Sequence, residues 1–387
     1  MRNLSNCFFL FFLIISLPVT SQFTKPIILT ELSNTVNETS GLIFYKSELW
    51  THNDSGNKAS LYSIDTISGE VIRSVNIKNA KNRDWEDLCK DENFVYIGDF
   101  GNNSGMRDDL KIYKISLSEL SDTNKKSVES EIINFTYNKN IYPPKFTKKH
   151  NTNFDCEAFI AFGDSLYLFS KNWENQKTYL YSLPKTPGTY TTNLCDSLDT
   201  EGLICSADYN LNTNTIALIG YIKGIPAPSI LFILYDFDGD NFFSGKTIRY
   251  ESELWGYQTE AIIFKDNCKL WFTNEKFFSH NQTLFSINIC PDDNDISSAK
   301  KSPFAFHTDV SNDELRIKFE CSTKKCRTKI EIFDINNSRI IKKKTSFNQG
   351  KKLEKLDVSH LLKGEYIIKI TYKEYKITQR FTNYDNN

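Results

Sequence analysis

The chain has 387 residues, enough for two domains, and 47 basic residues against 48 acidic ones leave it a net charge of −1. The charge is unevenly spread: residues 300–387 carry 20 Lys/Arg against 11 Asp/Glu, a net of +9, so the remainder is −10 (−1 − 9). The acidic part offers no basic stripe for nucleic acid and suits cations or neutral ligands, while the strand-patterned lysines of the tail read as a solvated face.

Residues 1–21, MRNLSNCFFLFFLIISLPVTS, have one basic residue, an apolar run from Cys7 to Leu17 and small residues near the end. That layout is a secretory signal peptide, too short for a transmembrane anchor, and no other stretch is apolar enough to span a membrane. Export puts the remaining eight cysteines in an oxidising compartment, and the close spacings suggest the pairs Cys268–Cys290 and Cys321–Cys326.

From residue 25 to 290 one pattern recurs. TSGLIF, WEDLCK, CEAFIAF, TEGLIC and TEAIIF align Ser40, Glu86, Glu157, Glu201 and Glu260 at spacings of 46, 71, 44 and 59 residues. Each segment leads to a second strand (ELWTHND, FVYIGDF, SLYLFSK, TIALIGY, KLWFTNE) and then a third; four units also show a fourth. Short β-rich units repeated about every 55 residues predict a β-propeller of five blades, or six if residues 116–153 hide a degenerate one. The fifth unit lacks a fourth strand, and KPIILTEL at 25–32 is available to supply it. Trp50 and Trp271 share a slot in two units and read as packing between blades. DFDGDN at 236–241 reads as a D-G hairpin turn, because Gly239 falls too early for an EF-hand loop.

QTEAIIFKDNCKLWFTNE and DTEGLICSADYNLNTNTIALIG are similar to blades of phytase-like (esterase-like) propellers. That resemblance implies, besides the propeller, a cation-dependent hydrolase of phosphoesters, esters or lactones.

After a polar linker at 291–306 comes a domain at 307–387, in which residues 313–381 alternate apolar and polar positions, as in a small Ig-like β-sandwich. KIEIFDINNSRIIKKK, LDVSHLLKGEYIIKI and YKITQRF resemble a type A C-terminal sorting domain of the type IX secretion system. Ile332 to Ile335, and the stretch Leu356, Asp357, Val358, Ser359, Leu361, Gly364 and Tyr366, carry the likeness. It implies the type IX secretion machinery as a partner and a secreted or cell-surface destination.

In a propeller, the starts of innermost strands and the ends of second strands share one rim. That rim collects Asp84, Glu86, Asp155, Glu157, Asp199, Glu201 and Glu260, with His52, Asn53, Asp54, Asp99, Asn102, Asn103, Asn172, Glu174, Asn274 and Glu275. Oxygen donors in such number suit a hard cation such as Ca2+, with Asp84, Glu86, Glu157, Glu201 and Glu260 as candidate ligands. Trp85, Asp99, Asn102, Trp173 and Trp255 are candidates for contacting a small-molecule, glycan or protein ligand, with Phe100 and Tyr257 nearby. Asn and Asp also make turns, so each single position has a structural alternative. His52, Asp54 and Ser55 lie too close in one loop to form a hydrolase triad, and no G-x-S-x-G elbow exists.

Overall fold

The computed structural model describes residues 25–138, 148–224, 226–290, 304–311, 314–334, 338–362, 364–372 and 375–383. The expected signal peptide at 1–21 and most of the expected linker at 291–306 lie outside them. Among the described residues no helix is long and apolar enough to cross a membrane.

Residues 27–288 form five sheets, each built on four antiparallel strands. Their innermost strands are Thr39–Tyr45, Trp85–Lys90, Cys156–Phe162, Leu203–Asn210 and Thr259–Phe264, and each of these contacts the next, with the fifth returning to the first. The ring closes as a five-bladed propeller. The six-bladed alternative fails because Glu131–Tyr137 is the outer strand of blade two, and the described residues between 116 and 153 form no sheet of their own. Blade five takes its outer strand from Ile27–Glu31, antiparallel to Thr283–Asn288, as the spare N-terminal segment predicts. Short strands add to the outer edges of blades one and two in parallel: Ser127–Val128 and Gly188–Thr192.

Period-two alternation explains why the blades need one another. In Thr215–Tyr221 of blade four, Ile216 and Leu218 enter the core shared with blade three, while Ala217 and Ile219 enter the core shared with blade five. Five apolar clusters result, one at each blade interface. Trp50 is buried between blades one and two, and Trp271 of blade five meets Phe44 of blade one edge to face. The D-G hairpin forms between the third and fourth strands of blade four, with Gly239 at φ +57°.

One polar residue ties the centre together. Asp87, fully buried, accepts hydrogen bonds from its neighbour Leu88 N, from Phe159 N of blade three, and from Ala207 N and Ser206 Oγ of blade four. Burial raises its pKa, and these donors oppose that rise. Truncation to Ala strands four donors, so Asp87→Ala is expected to cost about 3 kcal/mol in urea unfolding, with Asn less damaging.

Both expected disulfides, Cys268–Cys290 and Cys321–Cys326, form. Cys89, Cys156 and Cys205 are buried free thiols, and Cys195 is exposed.

In the C-terminal module, Glu314–Phe333 pairs along its length with Arg339–Asp357. Its first half also pairs with Phe304–Ser311 and its second half with Gly364–Tyr372. Leu315, Ile317 and Phe319 from the first half share one core with Ile330, Ile332, Ile368 and Ile370. A strand whose two halves line the same core has folded across it, which is how a small sandwich buries its apolar face.

Candidate functional site

Each innermost strand contains a β-bulge at the same place, between the first or second pair and the next. The unpaired residues are Gly41, Glu86, Glu157, Cys205 and Glu260. A bulge re-aims its side chain out of the pleat, and here the bulged positions ring one mouth of the propeller. This register corrects the sequence alignment in two blades. In blade one the bulged residue is Gly41, not Ser40, and in blade four it is Cys205, not Glu201. Glu201 precedes the strand in an exposed turn at φ +47°, because that strand begins at Leu203. It is not among the residues around the central cavity, and its candidacy as a metal ligand falls.

The cavity at this mouth has a volume of about 240 Å³ and is lined by six carboxylates: Asp54, Asp84, Glu86, Glu157, Glu260 and Glu275. Lys149, Lys171, His150, Trp173, Tyr221 and Gln258 also line it. Two clusters stand out. One oxygen from each of Asp54, Asp84 and Glu86 lies within 4.8 Å of the others, and the same holds for Glu157, Cys205 and Glu260. The clusters differ in their counter-charge. Lys171 Nζ sits 3.1 Å from Glu157 Oε2, with both side chains buried, and lies over the rings of Trp173 and Tyr221. Glu86 is only 6 % exposed, yet its carboxylate has no hydrogen bond or ion pair among the described residues.

Backbone geometry makes room for this first cluster. A Cβ on Gly101 would come within 1.8 Å of Glu86 Oε1 and 2.6 Å of Asp84 Oδ2, so a larger residue there would push both carboxylates out of their present positions. Arg107 holds that loop: it donates to Gly101 O at 2.8 Å and pairs with Asp99 at 2.9 Å.

The crowding leaves its mark on protonation. Burial, then Asp84, pushes Asp54 up to about 7. Burial, then Asp155, pushes Asp84 up to about 6, and burial, then Glu260, pushes Glu275 up to about 8. Glu86 and Glu157 rise well above the usual carboxylate range, through burial first and through neighbouring acids second, although Lys171 opposes the rise at Glu157. Acids with raised folded-state pKa values bind protons in the folded state that they lose on unfolding. Their stability is intact below about pH 4 and drains away as pH rises through the folded values. In chelator, the melting temperature is therefore expected to fall by several degrees between about pH 5.5 and about pH 8.5. A flat profile would mean that the six acids do not share a poorly solvated chamber.

The remaining sequence candidates divide between lining and scaffold. Trp173 lines the cavity, donating from Nε1 to Asp155 Oδ2 at 2.6 Å. Trp85 does not: it is fully buried, donates to Lys81 O and packs against His52 and Tyr113, because its pleat position points into the blade one–two core. Asp99 is sequestered by Arg107, and Asn102 accepts from Arg107 N and donates to Phe154 O, so both brace loops. Trp255 is 57 % exposed at the end of blade four's outer strand, away from the cavity. Asn53, Asn172 and Asn274 secure strand ends, and His52 is buried and pushed down to about 4 by that burial. Lys171, Tyr221 and Glu275 occupy one slot: each follows the residue (Ser170, Gly220 or Asn274) that pairs with the position just before the bulge. Aligning that slot would have found Lys171 and Tyr221, which the search for acids passed over. Cys205, Gly101 and Arg107 carried no comparable signal.

Residues 311–382 match the secretion system C-terminal sorting domain. The chain thus carries a type IX sorting domain and is exported, to the cell surface or beyond it. No curated protein sequence matches the chain. Among solved structures it is similar to an exo-β-1,3-galactanase from Phanerochaete chrysosporium with galactose, at 8 % identity and TM-score 0.41, covering 93 % of this chain and 99 % of that one. It is also similar to a periplasmic gluconolactonase from Pseudomonas aeruginosa, at 12 % identity and TM-score 0.33, covering 82 % and 88 %.

Proposed function

We propose that the propeller is an exported binding module that holds a cation in its central chamber. The observation that carries this reading is Glu86, more than nine-tenths buried and without a partner among the described residues, with Asp54 and Asp84 oxygens within 4.8 Å. A buried carboxylate either takes up a proton or recruits a positive charge. Three clustered oxygen donors, with Ser40 and Asn103 also at the cavity wall, suit Ca2+, which accepts six to eight oxygens in flexible geometry. Lys171 already supplies the positive charge of the second cluster, so the reading expects one Ca2+ per chain. Metal analysis and calcium titration calorimetry on the purified protein test this. Stoichiometric binding with a rise in melting temperature supports it, and an unchanged melting temperature with no heat of binding rejects it.

A second reading, a cation-dependent hydrolase, is favoured by one feature. Asp54 and Asp84, held near neutrality, face a chamber that also contains the lysine-paired Glu157, so groups suited to giving and taking protons coexist. Turnover of phosphate esters, esters or lactones in the presence of Ca2+ would favour it, and inertness across such a panel would leave binding alone. In both readings residues 1–21 are removed as a leader, 291–306 link the two domains, and 307–387 engage the type IX machinery.

A further inference from the structure

A second cavity, of about 330 Å³, adjoins the acidic chamber and shares His150, Trp173, Tyr221 and Gln258 with it. Its own wall is largely apolar (Leu203, Pro226, Ala227, Gly256, Tyr257 and Phe277), and its one further charged residue, Lys223, is turned to Trp173 O, to which its Nζ donates at 2.7 Å. The two cavities thus present an apolar vestibule beside an anionic interior. Two acids of blade five, Glu260 and Glu275, line the chamber together with the shared wall residue Gln258. The backbone N–H of Glu275 donates to Gln258 O, which fixes this residue beside a shared wall residue. Glu260, 8 % exposed, forms no ion pair among the described residues. If a metal ion sits on Asp54, Asp84 and Glu86, then Glu157, Glu260 and Glu275 share the single ammonium of Lys171, so carboxylates outnumber it there.

We infer that the chamber and vestibule together bind an organic ammonium ion, its charged head between Glu260 and Glu275 and its apolar body against Leu203, Pro226 and Phe277. This rests on the reading of the chamber as a cation site and names the ligand class that the neighbouring cavity adds. Charge complementarity selects the ammonium: an anionic head would meet the carboxylates directly, and a neutral one would leave them unrelieved. A flat sugar fits less well, because ring faces it would stack on are taken. Trp173 has His150 stacked on it at 4.2 Å and Lys171 Nζ 5.1 Å from its centroid, and Tyr257 is stacked on His280 at 3.9 Å.

The test is calorimetry on the full-length protein in saturating CaCl2, with n-butylamine, n-pentylamine, n-hexylamine and n-hexanol as probes. Affinity should rise about fourfold per added methylene, the factor for burying one CH2. The alcohol should bind about tenfold or more weakly than the amine of equal length. Phe277→Ala should flatten the chain-length series while leaving Ca2+ affinity unchanged, since Phe277 lines only the vestibule. Glu275→Gln should weaken the amines, with its thermal melt confirming that it folds. Equal binding of amine and alcohol, no dependence on chain length, or Ca2+ binding without amine binding would overturn the inference while sparing the cation reading. Amine binding without Ca2+ binding supports it and rejects only the metal. Absence of both overturns the two together.

Discussion

Glutamine in place of Glu86 is expected to lower Ca2+ affinity about a hundredfold while making the metal-free protein more stable, not less. The two effects have one origin. In the metal-free state Glu86 is a carboxyl buried beside Asp54, Asp84, Asp155 and Glu157, which must either hold a proton above its ordinary range or tolerate an unpaired charge. The amide is nearly isosteric and has no charge to desolvate, so above about pH 7 the substitution removes a penalty. With Ca2+ present, that same charge is the favourable term, and losing it costs binding. Melting curves of wild type and Glu86→Gln, each with chelator and with Ca2+, should cross over: the variant melts a few degrees higher without metal and lower with it. A variant destabilised under both conditions would make Glu86 a structural residue and remove it from the site. Such opposed changes in stability and binding are the mark of a functional position that the fold tolerates at a cost.

Lys171→Met should act in the reverse direction, destabilising the metal-free protein by about 3–5 kcal/mol near pH 8. Lys171 is 4 % exposed and is the ammonium paired with Glu157 inside the chamber. Methionine fills the volume but leaves Glu157 unpaired, with Glu260 next to it. Two controls separate loss of charge from loss of packing. Lowering the pH to about 5.5 should recover most of the stability, because Glu157 can then be neutralised by a proton. The double variant Lys171→Met, Glu157→Gln should recover it at every pH. A further consequence is countable. With the built-in cation gone, Glu157 and Glu260 become available to an external one, and calcium stoichiometry should rise from one to two. Cys205, whose thiol is held up by burial, stays protonated and adds little to that second site. A loss below about 1 kcal/mol would place the pair with ordinary surface ion pairs and contradict the closed chamber.

The stretch NRDWEDL shows how far sequence reasoning reaches and where it stops. Its acids read as one cluster, yet alternation along the strand separates them: Asp84 and Glu86 face the chamber, Asp87 binds three blades together, and Trp85 enters an apolar core. The sequence marks a propeller because each blade repeats its apolar pattern, and pattern is a local property. It also marks the sorting module and the two short-range disulfides, which depend on composition and spacing. Ca2+ as a candidate ligand followed from acid counting, and four of the five proposed metal residues do line one cavity.

What the chain alone could not reveal is register. In blade four the strand starts at Leu203 and its bulge falls at Cys205, four residues past Glu201, and nothing in the motif TEGLIC marks that offset. Nor could it pair Lys171 with Glu157, fit Gly101 beneath two carboxylates, or set an apolar vestibule beside the acids, since each joins segments far apart in sequence. Strand pattern determines which residues are blades; closing five of them into a ring decides which side chains share the poorly solvated space at the centre, and that shared space shifts their pKa values and gives the site its chemistry.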